Sequence, residues 1–249
     1  MSKKNARWRK LDNAAKLYSA ASNKKDTRVF RFYCELKEEV NPKALQEALN
    51  QTIETFPTFL MVLRKGFFWH YLEPCNLRPI VKEEYKEPCS RLYIRDKKTL
   101  LFEVTYYKKR INFEVFHVLT DGTGATEFLK ELVKNYLYLV HKEEGLEQIT
   151  LLPEDMTVQD QEDDSFLKYY SKNQKRPKKR KLNAFQIRRK KKDGNHLHVH
   201  ESVVSVQAVL KRSRELGVSM TIFLTALFMM AINEEMSKMQ KKKPVVLMV

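Results

Sequence analysis

"RINFEVFHVLTDGTGATEFLKELVKNYL", residues 110–137, is the stretch whose reading decides the fold. Its first half alternates: Ile111, Phe113, Val115 and His117 fall on one side of an extended strand, Asn112, Glu114 and Phe116 on the other. The apolar parity predicts a buried face, so His117 continues the inward side. Past the turn at 120–124 the period changes. Phe128, Leu129, Leu132, Val133, Tyr136, Leu137 and Val140 then recur as the buried stripe of a helix from about 125 to 141, which Asp121 or Thr123 can cap. A strand, a tight glycine-containing turn and a helix point to an α/β fold.

The flanking sequence extends the same pattern. "TLLFEVTYY", the basic turn Lys108-Lys109-Arg110 and "INFEVFH" predict a hairpin, and "TRVFRFYCEL" (27–36) a further strand. Asn41 and Pro42 open a helix carried by Leu45, Ala48, Leu49, Ile53 and Phe56 and stopped at Pro57. "FLMVLRKGFFWHYLEP" reads as two strands meeting at Lys65-Gly66. Beyond the acidic stretch "EDMTVQDQEDD" and the basic run, "HLHVHESVVSV" is a strand candidate. A helix to about 216 follows with a Gly217 cap, then an apolar helix from near 219, read as buried, and a terminal strand in "PVVLMV".

The net charge of +16 raises the question of a nucleic-acid partner, but its distribution argues otherwise. Residues 172–192 hold twelve Lys or Arg and no Asp or Glu, which leaves the rest of the chain near neutral. With Phe185 the sole aromatic in the run, a solvated linker is the expected reading, and no specific nucleic-acid binding is expected. Cys34, Cys75 and Cys89 are odd in number and share no C-x-x-C spacing, which speaks against a disulfide framework and fits a cytoplasmic protein. The N-terminal "MSKKNARWRKLDN" lacks a signal-peptide core. The longest apolar run, 218–232, is shorter than the roughly 20 residues of a membrane span, so none is expected. His196, His198 and His200 share one strand face, yet no Cys or carboxylate motif accompanies them and no metal site is expected.

The H-x-x-x-D-G of His117, Asp121 and Gly122, with its strand-turn-helix context, resembles the active-site motif of the chloramphenicol-acetyltransferase-like, coenzyme-A-dependent acyltransferases. "KLDNAAKLY", "RINFEVFHVLTDGTGATEFLKELVKNYL", "GVSMTIFLTALFMMAI" and "KKPVVLMV" are similar to the bacterial alcohol-acetyltransferase-like branch, and the likeness covers most of the chain outside the linker. It implies the first lobe of a two-lobed fold, a mixed sheet with helices packed on it. Residues 1–158 would form the N-terminal lobe, 159–195 a charged linker and 196–249 the start of a second lobe that is mostly missing. The family's late D-F-G-W-G motif does not occur here. The chain is thus expected to need the missing lobe or a companion chain, and by itself to be inactive if that portion is never supplied.

The resemblance implies transfer of an acetyl or other short acyl group from acyl-coenzyme A, a cosubstrate rather than a tightly bound cofactor, to a small alcohol or amine. A neutral imidazole, with an ordinary pKa near 6.5, suits a general base that takes the acceptor's proton and returns one to the departing thiolate. His117 would fill that role, Asp121 would pair with an arginine and fix the loop, and Gly122 would keep the channel mouth open. Two alternatives remain at this point. One is a condensation-type domain acting on carrier-protein thioesters, against which Phe116 stands where those domains usually carry a second histidine. The other is a truncated, inactive relative serving as a binding module.

Overall fold

The computed structural model describes residues 8–23, 26–67, 69–95, 97–142, 183–187 and 199–247. It is a mixed α/β structure with two sheets, and the chain divides into two units, 1–170 and 171–249. Most of the charged linker lies outside the described residues.

In the first unit the larger sheet runs β2 (Val29–Glu35), β7 (Arg110–Phe116), β6 (Phe102–Tyr107) and β5 (Lys82–Glu83). The β6–β7 hairpin turns at Lys108, whose φ of 51° supplies the left-handed step of a two-residue connection. β2 joins the other edge of β7 antiparallel, Phe32 opposite Phe113, and β5 pairs with β6 in parallel. A smaller sheet holds β1 (Arg9–Lys10), β4 (His70–Pro74) and β3 (Met61–Lys65), with Lys65 opposite His70 across the expected turn.

α1 (Asn13–Ala21) is capped by Asp12, and α2 (Pro42–Thr55) by Asn41, which accepts from Lys43 N and Ala44 N. α3 (Gly122–Val140) lies against the inner face of the large sheet, where Phe128 stacks on Phe113 at 4.7 Å and on Phe59 at 4.4 Å. α2 packs beside α3: the Asn41 N–H donates to Tyr136 Oη (2.9 Å) and Asn135 Nδ2 to Thr52 Oγ1 (3.1 Å). Each fully buried phenylalanine of this cluster contributes about 1.5–3 kcal/mol relative to exposure.

The outer face of β7 departs from the half-exposed strand that alternation suggests. Asn112, Glu114 and Phe116 are as buried as the inner residues, because the 84–93 segment covers them. Phe116 stacks on Tyr93 at 6.0 Å. Glu114 Oε1 accepts from Arg31 Nε (2.8 Å) and from the Cys89 N–H (2.7 Å), while Arg31 Nη1 reaches Glu84 at 2.6 Å. Burial works to lower the Arg31 pKa, but the hydrogen bond to Glu84 and the charge of Glu114 outweigh it and hold the guanidinium above its ordinary value.

The second unit departs further from expectation. α4 (Val206–Glu215), capped by Ser205, ends at Gly217, whose φ of +66° lets Val218 N reach back to Ser213 O as the sequence predicts. Residues 199–205 and 244–247, however, form no strand: backbone pairing is confined to the Phe185 N–H donating to Pro244 O at 2.9 Å, too little to make a ladder. α5 (Met220–Glu234) is not buried. Ile222, Phe228 and Met230 are 58%, 56% and 61% exposed, and only Ile232 is buried, because no layer of the described residues covers the helix. No single helix among the described residues is long and apolar enough to cross a membrane; α4 and α5 pass that test only as a pair bent by 89°.

Removing the Glu114 carboxylate leaves the Arg31 guanidinium in a covered site with one partner fewer. Glu114→Ala is expected to lower stability in urea denaturation by about 3 kcal/mol, and Glu114→Gln by less, since the amide oxygen still accepts from Cys89 N. A variant within about 0.5 kcal/mol of the parent would contradict this account.

Candidate active site

β7 ends at Phe116, and His117 is the first residue of the turn into α3. Its backbone remains tied to the sheet edge through His117 N–H donating to Arg28 O at 2.9 Å. Arg28 has a φ of 56°, a left-handed conformation that costs a non-glycine residue on the order of 1 kcal/mol. The side chain lies on the inner side, as the parity predicts. Its ring is stacked in parallel on Tyr18 (4.0 Å, 11°) and tilted against Phe30 (4.6 Å), so α1 and β2 together fix the plane of the imidazole.

With both ring contacts made by aromatic rings, Nδ1 is buried without a hydrogen-bond partner among the described residues. The residue as a whole is partly exposed. An aromatic clamp of this kind is worth about 0.5–1.5 kcal/mol per pair, enough to hold the ring orientation without a carboxylate behind it.

Asp121 does not stand behind His117. It is the N-cap of α3, in extended conformation, its Oδ1 accepting from Gly124 N at 2.9 Å. The arginine pairing that the resemblance implies is not present: among the described residues no basic side chain forms an ion pair with Asp121, and Arg28 pairs with Asp26 at 2.9 Å instead. Gly122 is exposed, and a Cβ there would meet nothing within 4 Å, so within this chain it obstructs no channel. The steric demand falls two residues later. A Cβ on Gly124 would collide with the Thr120 hydroxyl.

The structure therefore brings His117 to Tyr18, Phe30 and Arg28, none of which was assigned a role from the sequence. Tyr18 closes the stretch "KLDNAAKLY", and helical spacing on α1 was the signal that could have pointed its ring inward. Of the histidine trio, His196 and His198 lie outside the described residues and His200 is exposed. No group of side chains able to hold a metal ion occurs among the described residues.

No family model matches the chain, and no curated protein matches it. Among solved structures it is similar to the starter condensation domain of rhizomide synthetase RzmA, at 13% identity and a TM-score of 0.47 over 58% of this chain and 40% of that one. Polyketide synthase associated protein 5 from Mycobacterium tuberculosis gives 16%, 0.42, 58% and 36%. F. sporotrichioides TRI101 complexed with coenzyme A and T-2 gives 12%, 0.36, 52% and 41%. These neighbours are of the condensation and chloramphenicol-acetyltransferase-like superfamily. The chain spans about two fifths of their length.

Two substitutions separate the turn's glycines and its cap. Gly122→Ala is expected to be neutral or stabilising by a few tenths of a kcal/mol, and Gly124→Ala to be the more destabilising of the two, in paired thermal melts. Asp121→Ala should cost about 1 kcal/mol through the lost cap, while Asp121→Asn, which still presents an oxygen to Gly124 N, stays close to the parent.

Proposed function

We propose that this chain carries the general base of an acyltransferase that moves an acetyl or other short acyl group from acyl-coenzyme A to an alcohol or amine. The observation that carries the reading is the His117 ring itself: held in plane by Tyr18 and Phe30, partly exposed, and with no acid paired to it among the described residues. In the reaction, Nε2 accepts the proton of the acceptor O–H or N–H as that atom bonds to the thioester carbonyl carbon. The C–S bond then breaks, and the imidazolium returns the proton to the thiolate. The enzyme ends as it began, with no covalent intermediate. Base catalysis of this type supplies 10²- to 10⁴-fold, about 3–5 kcal/mol of barrier, and holding both substrates supplies much of the rest.

Asp121 and Gly122 enter this proposal through the turn, Asp121 by capping α3 and so fixing where the turn leaves His117. The proposal includes completion of the site by a second lobe or companion chain, supported by the large exposed hydrophobics of α5. A reducing cytoplasmic setting belongs to it as well, in keeping with three free thiols. A condensation-type activity is less well supported, since Phe116, at the position of those domains' other histidine, faces Tyr93 on the opposite side of the sheet. A role as a binding module alone is the second reading, and it too draws on the uncovered α5.

The test is thiol release from acetyl-coenzyme A with a panel of alcohols and amines, followed with a thiol-reactive dye. Acceptor-dependent release is expected to fall 10²- to 10⁴-fold in His117→Ala. A His117→Ala variant as active as the parent would reject the proposal. Tyr18→Ala should lower kcat while leaving KM nearly unchanged, because it frees the ring without touching substrate-binding surface.

A further inference from the structure

A concavity of about 360 Å³ opens on the β5–β6 edge of the large sheet, between that edge and the 77–100 segment. Its volume falls at the small end of the range for small-molecule sites. Among the described residues five cations line it, Arg78, Lys82, Lys86, Arg91 and Lys98, against one carboxylate, Glu103. That carboxylate is committed: it forms an ion pair with Lys86 and accepts from Tyr85 Oη at 2.7 Å. Burial works to lower the Lys86 pKa, yet its hydrogen bond and charge interaction with Glu103 prevail and hold the ammonium above its ordinary value.

Four cations remain uncompensated. Among the described residues Arg78, Lys82, Arg91 and Lys98 form no ion pair, and Lys82 instead lies over the Tyr85 ring at 5.3 Å. Like charges gathered in one concave surface repel one another and raise the local potential for an anion. The walls are apolar. Ile80 and Ile94, 64% and 44% exposed, stand beside these cations, with Leu77 and Leu100 also lining the hollow.

The hollow is also tied in place. Gln46 of α2 clamps one side, its Oε1 accepting from Val81 N (2.9 Å) and its Nε2 donating to Pro79 O (3.2 Å). Thr99 Oγ1 donates to Leu92 O at 3.0 Å across the other, and β5 is held to β6 by parallel pairing with Glu84 N donating to Tyr106 O at 2.8 Å. Clamped backbone, uncompensated positive charge and apolar walls in one hollow describe a site for an amphiphilic anion.

We propose that this hollow binds a small organic phosphomonoester, its dianionic head among Arg78, Lys82, Arg91 and Lys98 and its ring or alkyl body against Ile80 and Ile94. A phosphate carries −1.5 to −2 charges near pH 7, matching the excess, and arginine with lysine suits its oxygens. The site is separate from the His117 ring and does not depend on the acyl-transfer reading.

The experiment is calorimetric titration of the full 249-residue chain with phenyl phosphate, inorganic phosphate and benzyl alcohol. One-to-one binding of phenyl phosphate is expected, at least about tenfold tighter than inorganic phosphate, with none of the neutral alcohol. The double variant Arg91→Gln/Lys98→Gln should weaken phenyl phosphate about tenfold or more, and Ile80→Ser/Ile94→Ser should bring it to the level of inorganic phosphate. All four positions are exposed, so the variants keep the far-ultraviolet dichroism of the parent. Three results would overturn the proposal: no saturable binding, equal affinity for the two phosphates, or binding that the groove variants leave unchanged, which would assign it to the basic run at 172–192.

Discussion

β7 is covered on both faces, and the position of everything near His117 follows from that constraint. The inner face is closed by Phe128 of α3 and its neighbours, the outer face by Phe116 on Tyr93 and by Glu114 holding Arg31 and the Cys89 backbone. A strand packed on both sides and paired on both edges cannot slide by one residue, since a slip would move every inward phenylalanine outward. His117, the residue next after the strand, inherits that fixed register. Its hydrogen bond to Arg28 O then stops the sheet where the imidazole emerges.

The parts of this arrangement that were legible in the sequence are those set by local rules. Period-2 alternation identified the inner face of β7 and the side on which His117 lies, and 3.6-residue spacing identified α2, with its cap at Asn41, and α3, whose cap was left open between Asp121 and Thr123 until the structure placed it at Asp121. What alternation could not show is that the polar parity is covered too. Glu114 is buried because Arg31, 83 residues away, and the 84–93 segment meet over it, and such a partnership leaves no periodic trace. The same limit applies to Tyr18 against His117: α1 and the turn after β7 are neighbours only in three dimensions.

The site itself shows a division between what a motif's letters demand and what this chain does with them. Asp121 has one carboxylate, and the open N–H of Gly124 three residues on takes it, a contact closed at short range and little entropy. Orientation of the His117 ring then falls to aromatic packing, which sets its plane but leaves Nδ1 without a hydrogen-bond partner among the described residues.

α5 makes the opposite point about burial. Its sequence has no polar face, so no rotation about its own axis could place charge toward water and hydrocarbon toward protein. A helix of this composition at a bilayer surface would lack the charged side that anchors interfacial helices, and its 15 residues fall short of a span. Protein surface on more than one side is an environment that matches its all-round apolar sequence.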